Sequence, residues 1–216
     1  MRPITVTAGP LATADADGIA QAQKPAATFT LNGALVSGGV ALLGAPRRVL
    51  ITTVADETAL TFTVTGANSA GDVLSEAVAG VNNTSTYTAL DFYTVTSVTT
   101  SATPTGNVTI GTNGIGGSPW VRIDDYGDSY ISVQARVSGT VNYTLQQTLD
   151  DPNSPTSPVS PANVLWQNIN DTDAVAATTS VETNYMFAPT WCRVLLNSQT
   201  NPGYVTVTYL QSGTPR

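Results

Sequence analysis

Apolar and polar residues alternate strictly along several stretches of the chain. Leu60-Thr61-Phe62-Thr63-Val64-Thr65 alternates throughout, as do Val141-Asn142-Tyr143-Thr144-Leu145-Gln146 and Val205-Thr206-Val207-Thr208-Tyr209. A period of two puts one row of side chains in a core and the other in water, so each stretch predicts a half-buried β-strand. The first strand is expected at Ala27-Thr28-Phe29-Thr30-Leu31. No stretch carries a helical stripe; Asp72 to Val81 comes nearest, and its Val and Gly content argues against it. The pattern predicts an all-β chain.

The strands fall into two similar sets. Thr103-Pro104-Thr105-Gly106-Asn107-Val108-Thr109-Ile110 resembles Thr200-Asn201-Pro202-Gly203-Tyr204-Val205-Thr206-Val207, each a Pro/Gly turn feeding an alternating strand. The β-rich runs Phe92 to Thr100 and Trp191 to Asn197 precede them. Upstream, Arg48–Thr53 with Leu60–Thr65, and Tyr130–Val137 with Val141–Gln147, are expected as hairpins. The predicted architecture is two tandem antiparallel β-sandwich domains, 26–116 and 117–216, joined across the glycine-rich run Gly111 to Pro119. Residues 1–25, rich in Ala, Gly and Pro, are expected as an extended N-terminal arm. The stretch 150–184, which holds Pro152, Pro155, Pro158 and Pro161, is expected as a long loop of the second domain.

Composition narrows the function. Apolar residues make up 41% of the chain, enough for real cores, but charged residues only 11%, against roughly 25% in ordinary soluble domains. Threonine supplies about one residue in six, which suits half-exposed strands. Such a surface loses little to desolvation when it is buried against neighbours or copies of itself. The net charge of −7, with Arg47-Arg48 the only adjacent cations, argues against binding nucleic acid. No apolar run is long enough to span a membrane, and Met1 to Pro10 holds no apolar signal core, so synthesis and retention in a cytoplasm are expected.

The chain contains no histidine, which removes the usual general base, the commonest metal ligand and any Ser-His or Cys-His nucleophile pair. With one cysteine, Cys192, there is neither a disulfide nor a Cys/His zinc site, and a thiol in the strand-like run Trp191–Leu196 reads as buried and inert. Asp124-Asp125 with Asp128, and Asp150-Asp151, lie among turn residues and read as turn chemistry rather than as a hydrolase pair. Asp15-Ala16-Asp17-Gly18 and Asp171-Thr172-Asp173 are calcium-loop fragments lacking the closing bidentate acid. The run Gly111–Gly117 lacks the Lys-Ser/Thr ending of a phosphate loop. The expectation is therefore no catalytic, metal or cofactor-binding residues, and no enzyme. Trp191 reads as core; Trp166, inside the long loop, is open to an interface role.

Several segments carry a resemblance. Thr-Phe-Thr-Leu-Asn-Gly (28–33), Gly-Ala-Pro-Arg-Arg-Val-Leu-Ile-Thr (44–52), Phe-Thr-Val-Thr-Gly (62–66), Gly-Asn-Val-Thr-Ile-Gly-Thr-Asn-Gly (106–114) and Ser-Pro-Trp-Val (118–121) resemble virion structural proteins of tailed bacteriophages. Within that group the chain looks most like a capsid decoration, or cement, protein. The resemblance implies a homo-oligomer that contacts the major capsid protein or adjacent head or tail proteins, with the arm and the 150–184 loop as contact elements. Two other roles remain open: a tail, neck or receptor-binding subunit, and a carbohydrate-binding β-sandwich module.

Overall fold

The computed structural model describes residues 3–123, 131–185 and 187–211. Among these residues there are fourteen strands and two three-residue 3-10 turns, Pro161–Asn163 and Thr172–Ala174. The strands are β1 (Ile4–Ala8), β2 (Ala20–Gln23), β3 (Val36–Ser37), β4 (Val40–Thr53), β5 (Thr61–Ala67), β6 (Val73–Ala79) and β7 (Ser85–Tyr87). Then follow β8 (Phe92–Thr100), β9 (Val108–Gly117), β10 (Val121–Arg122), β11 (Ile131–Thr148), β12 (Gln167–Asn168), β13 (Val181–Tyr185) and β14 (Trp191–Gln211). The all-β class is what the alternating pattern predicts. Asp72 to Val81, the nearest helical candidate, contains strand β6.

The chain forms two compact units, Ala12–Gly114 and Met1–Leu11 with Ile115–Arg216. Residues expected in an extended arm are thus shared between them. Ile4–Ala8 is strand β1 of the second unit, and Ala20–Gln23 is strand β2 of the first. Alternation of β-branched residues in Ile4-Thr5-Val6-Thr7-Ala8 is the local reason, although the run is short and flanked by Pro3 and Pro10.

In the first unit the strand order is β9-β4-β8-β5-β6, with β2 on β9 and β3 and β7 on β4. Strand β5 alternates as predicted, burying Phe62, Val64 and Gly66. Val64 and Gly66 stand opposite the buried Val98 and Val95 of β8, and Phe29 leans on Phe62 with ring centroids 6.1 Å apart. A register slip at Thr65/Gly66 brings a backbone carbonyl so close that a Cβ on Gly66 would lie 1.9 Å from the Thr94 oxygen. The sheet curls until its β6 end meets the loop after β7. There the Glu76 carboxylate accepts the amides of Ala89 and Leu90 at 2.7 and 2.8 Å. Arg48–Thr53 and Leu60–Thr65 do not pair as the hairpin expected, because β8 lies between β4 and β5.

The second unit is built on one long ribbon. Strands β11 and β14 pair antiparallel from Ile131↔Gln211 to Thr148↔Trp191. On the far side of β14 lie β1 (Ile4↔Tyr209 to Ala8↔Val205), the end of β9 (Gly117↔Leu195) and β10 (Val121↔Cys192). On the far side of β11 lie β13 at one end (Ile131↔Tyr185) and β12 at the other (Gln147↔Gln167). Two hairpins were expected here, turning at Ser138-Gly139-Thr140 and at Asn201-Pro202-Gly203. Each of these segments instead lies within a single continuous strand. The two turn signals sit opposite one another and mark a shared bend, with register shifts at Ser138/Thr140 and Asn142/Tyr143. Gly139 adopts φ 73°, and a Cβ on Gly203 would lie 2.4 Å from the Thr140 oxygen. Across the bend the ribbon packs on itself. Tyr185 of β13 stacks on Tyr209 at 6.5 Å, and the Tyr185 hydroxyl donates to the Gln146 carbonyl on the other arm of β11 at 3.5 Å.

Strand β11 keeps its period of two only up to the bend. From Tyr143 to Thr148 every residue is buried. Here the 150–184 stretch does not stand out as a loop but runs back along the edge of β11. Ile169 donates to the Leu145 carbonyl, Ala177 and Tyr143 exchange backbone bonds at 2.8 and 2.9 Å, and Ala176 donates to the Thr144 hydroxyl. Among the buried polar side chains of this end, the Thr144 hydroxyl meets the Ala176 amide and Gln146 meets Asn168.

Candidate functional site: a tryptophan face

Strands β10, β14, β11 and β12 reach the same end of the second unit's sheet, and this convergence gathers all three tryptophans of the chain. Trp120 immediately precedes β10, Trp191 opens β14, and Trp166 immediately precedes β12. The Trp120 ring meets Trp166 edge-on, with centroids 5.0 Å apart and planes at 70°, and meets Trp191 at 6.4 Å and 67°. All three are half-buried. Edge-to-face pairs at these separations add to the burial energy of the rings.

Two arginines brace the cluster. Arg193 is on the same side of β14 as Trp191, two residues away, and its guanidinium stands 4.4 Å above the Trp166 ring. Its Nε donates to Gln146 Oε1 at 2.9 Å, and Gln146 Nε2 donates to Asn168 Oδ1 at 3.0 Å, so a chain of polar groups fixes it in place. Arg122 stands 5.8 Å from the Trp191 centroid and reaches Asp151 Oδ2 at 3.4 Å. Asp151 accepts the Trp191 indole N–H through Oδ1 at 3.2 Å, and Asp150 accepts the Leu165 amide at 2.7 Å. Asp150-Asp151, read from sequence as turn chemistry, thus position the aromatic cluster. Leu149 and Leu165, 68% and 64% exposed, flank it as uncovered apolar side chains.

No protein-family model matches this chain, and comparison with curated proteins finds none similar in sequence. The physical character of the surface therefore carries the functional reading.

The remaining sequence candidates have structural surroundings. Asp15 to Gly18 forms a tight loop in which Asp15 Oδ1 accepts the Asp17 amide and the Asp15 carbonyl accepts the Thr112 amide. A Cβ on Gly111 would lie 2.0 Å from the Asp15 carbonyl, so the loop is packed against that glycine. Asp171 caps the 3-10 turn at Thr172–Ala174. Hydrogen bonds from the Thr183 side chain and then the Asp173 backbone hold its carboxyl below the ordinary range. Among the described residues no three His, Cys, Asp or Glu side chains gather as a metal-holding group. Asp124, Asp125 and Asp128 lie outside the described residues.

Arg47 of the sequence's basic pair is buried, its Nη2 donating to the Asn113 carbonyl, and desolvation lowers its pKa. Arg48 instead faces Asp91 at 3.8 Å and lies over the Tyr87 ring. The pair therefore presents no joint cationic surface. A second surface feature is a shallow concavity of about 500 Å3, with mixed polar and apolar walls, formed by β13, β11 and β14. Its walls include Ser132, Gln134, Glu182, Asn184 and Thr208, and Gln134 donates to Glu182 at 2.6 Å.

Trp191 had been assigned to core and Trp166 left open. The structure places both, with Trp120, in one half-buried cluster. The sequence holds these residues 46 and 25 positions apart (166 − 120 and 191 − 166). Only the register of four strands brings them together.

Proposed function

We propose that this chain is a non-enzymatic structural protein of a tailed-bacteriophage particle, which decorates and stabilises the capsid through protein–protein contacts centred on the tryptophan face. In this reading each unit serves as one β-sandwich-like module of a tandem, assembled in the host cytoplasm and resident in the virion. The supporting observation is the convergence of the half-buried Trp120, Trp166 and Trp191 with Arg122, braced by the buried Arg193, with the exposed Leu149 and Leu165 nearby in the chain. Tryptophan and arginine dominate the energetic centres of protein interfaces, and apolar patches rimmed by polar groups mark them. The sparse charge of the chain limits what must be desolvated around such a patch. The capsid context itself comes from the sequence resemblance.

The test is add-back of purified protein to particles lacking it. Wild type is expected to bind in hundreds of copies, and Trp166→Ala to bind at least about tenfold more weakly while unfolding at a similar denaturant concentration. A stoichiometry of about six or twelve would instead point to a tail or neck subunit. A second reading, glycan binding, is favoured by the concavity on β13, β11 and β14, whose hydroxyl, amide and carboxylate groups suit sugar hydroxyls beside Val133 and Leu210. A glycan screen with and without chelator separates it from the decoration reading.

A further inference from the structure

Exposed sheet edges are templates for pairing, and folded proteins normally blunt them with charges, prolines, bulges, shortness or a covering segment. The edge strands described here follow that rule with one exception. Strand β6 is clasped by the 88–90 loop through Glu76. Strand β13 carries Glu182 as its second residue, and β2 is four residues long and runs into Lys24. Strands β3, β10 and β12 have two residues each and β7 has three. Strand β1 has none of these protections. Its five residues pair with β14 without a register slip, and its other edge pairs with no described strand. From Pro3 to Pro10 there is no ionisable side chain, and no proline or glycine interrupts Ile4–Ala8. Ile4, Thr5 and Thr7 are exposed.

We propose that β1 is an open pairing edge whose occupant is β1 of a second copy of this chain, antiparallel about Val6. The argument for a second copy is complementarity. A twofold axis at Val6 sets Thr5 of one copy opposite Thr7 of the other, and Ile4 opposite Ala8. Strand β1 already makes such hydroxyl pairs on its inner side, Thr5 with Thr208 at 3.2 Å and Thr7 with Thr206 at 3.1 Å. Self-pairing therefore extends an existing threonine ladder by the same chemistry. The chain carries −7 overall, so copies repel at long range, but the neutral edge brings no like charges into the contact. Pro3 and Pro10 stand just outside the paired residues and limit the contact to one five-residue, self-complementary window. A twofold closes this contact as a dimer rather than propagating it into a fibre. The proposal rests on β1 and not on the tryptophan face, so the two can fail separately.

Sedimentation equilibrium of the full chain tests it. Wild type is expected to form a dimer at micromolar concentration. Thr5→Lys with Thr7→Lys, which places cations opposite one another across the axis on an exposed face, is expected to weaken the dimer at least about tenfold, with partial recovery at high salt. Trp166→Ala is expected to leave the dimer intact. Should the lysine variant misfold, Thr5→Cys with Thr7→Cys gives an independent readout: mild oxidation is expected to link two chains through these positions, because Cys192 is buried. A wild type that stays monomeric, a lysine variant that dimerises as well as wild type, a dimer lost on Trp166→Ala, or thiols that do not link two chains would each overturn the proposal.

Discussion

Single side chains hold this fold through a few buried contacts whose removal has calculable effects. The Glu57 carboxylate, 2% exposed, accepts the amides of Thr105 and Gly106 at 3.0 and 2.6 Å and so fixes the Pro104–Gly106 turn. Glu57→Ala leaves both donors without their charged acceptor and is expected to destabilise the chain by about 2 kcal/mol, read as a lower urea midpoint with unchanged slope. Cys192 gives a pH signature. Burial pushes its thiol from 9.0 up to about 12, with the Tyr185 hydrogen bond opposing the shift, and burial likewise raises Tyr143 to about 12. The unfolded chain starts to lose these protons near their ordinary values while the folded chain retains them. Stability is therefore full below about pH 9 and falls as pH rises towards about 12. Urea midpoints across that range are expected to decline, and Cys192→Ala is expected to make the decline shallower. The burial of the thiol was readable from its strand-like surroundings. The role of Glu57 was not, because its partners lie 48 and 49 positions away.

At the scale of elements, the decisive feature is the bend in the β11–β14 ribbon. Gly203 sits where a Cβ would meet the Thr140 oxygen at 2.4 Å, whereas a Cβ on Gly114 would meet nothing within 4 Å. Gly203→Ala is expected to lower stability by roughly 1–3 kcal/mol and Gly114→Ala to change it little, compared by thermal or urea unfolding. The same bend explains where sequence reading succeeded and failed. The alternation in Leu60–Thr65 identified a strand with one buried face, and β5 has that face. Gly139 and Pro202-Gly203 carried real signals of a change in direction, but a hairpin turn and a bulged bend use the same residues. Only the pairing of β11 with β14 along both arms distinguishes them. Strand β1 was missed for a different reason: five residues between prolines are too short to establish a period. The buried run Tyr143–Thr148 was misjudged because its partners along that edge come from a distant segment.

At the scale of the whole molecule there are two compact all-β units with few charges, and the second carries a half-buried cluster of three tryptophans. The β class was legible because alternation is local. The tryptophan face was not, because it exists only in the register of β10, β14, β11 and β12. The proposed role of this face is to bind a neighbouring protein in a phage particle. The most direct measurement is add-back to particles lacking the protein, comparing wild type with Trp166→Ala. Wild-type binding in hundreds of copies, weakened at least about tenfold by a substitution that leaves unfolding behaviour intact, is the predicted result. Equal binding by both proteins, or none by either, would contradict it.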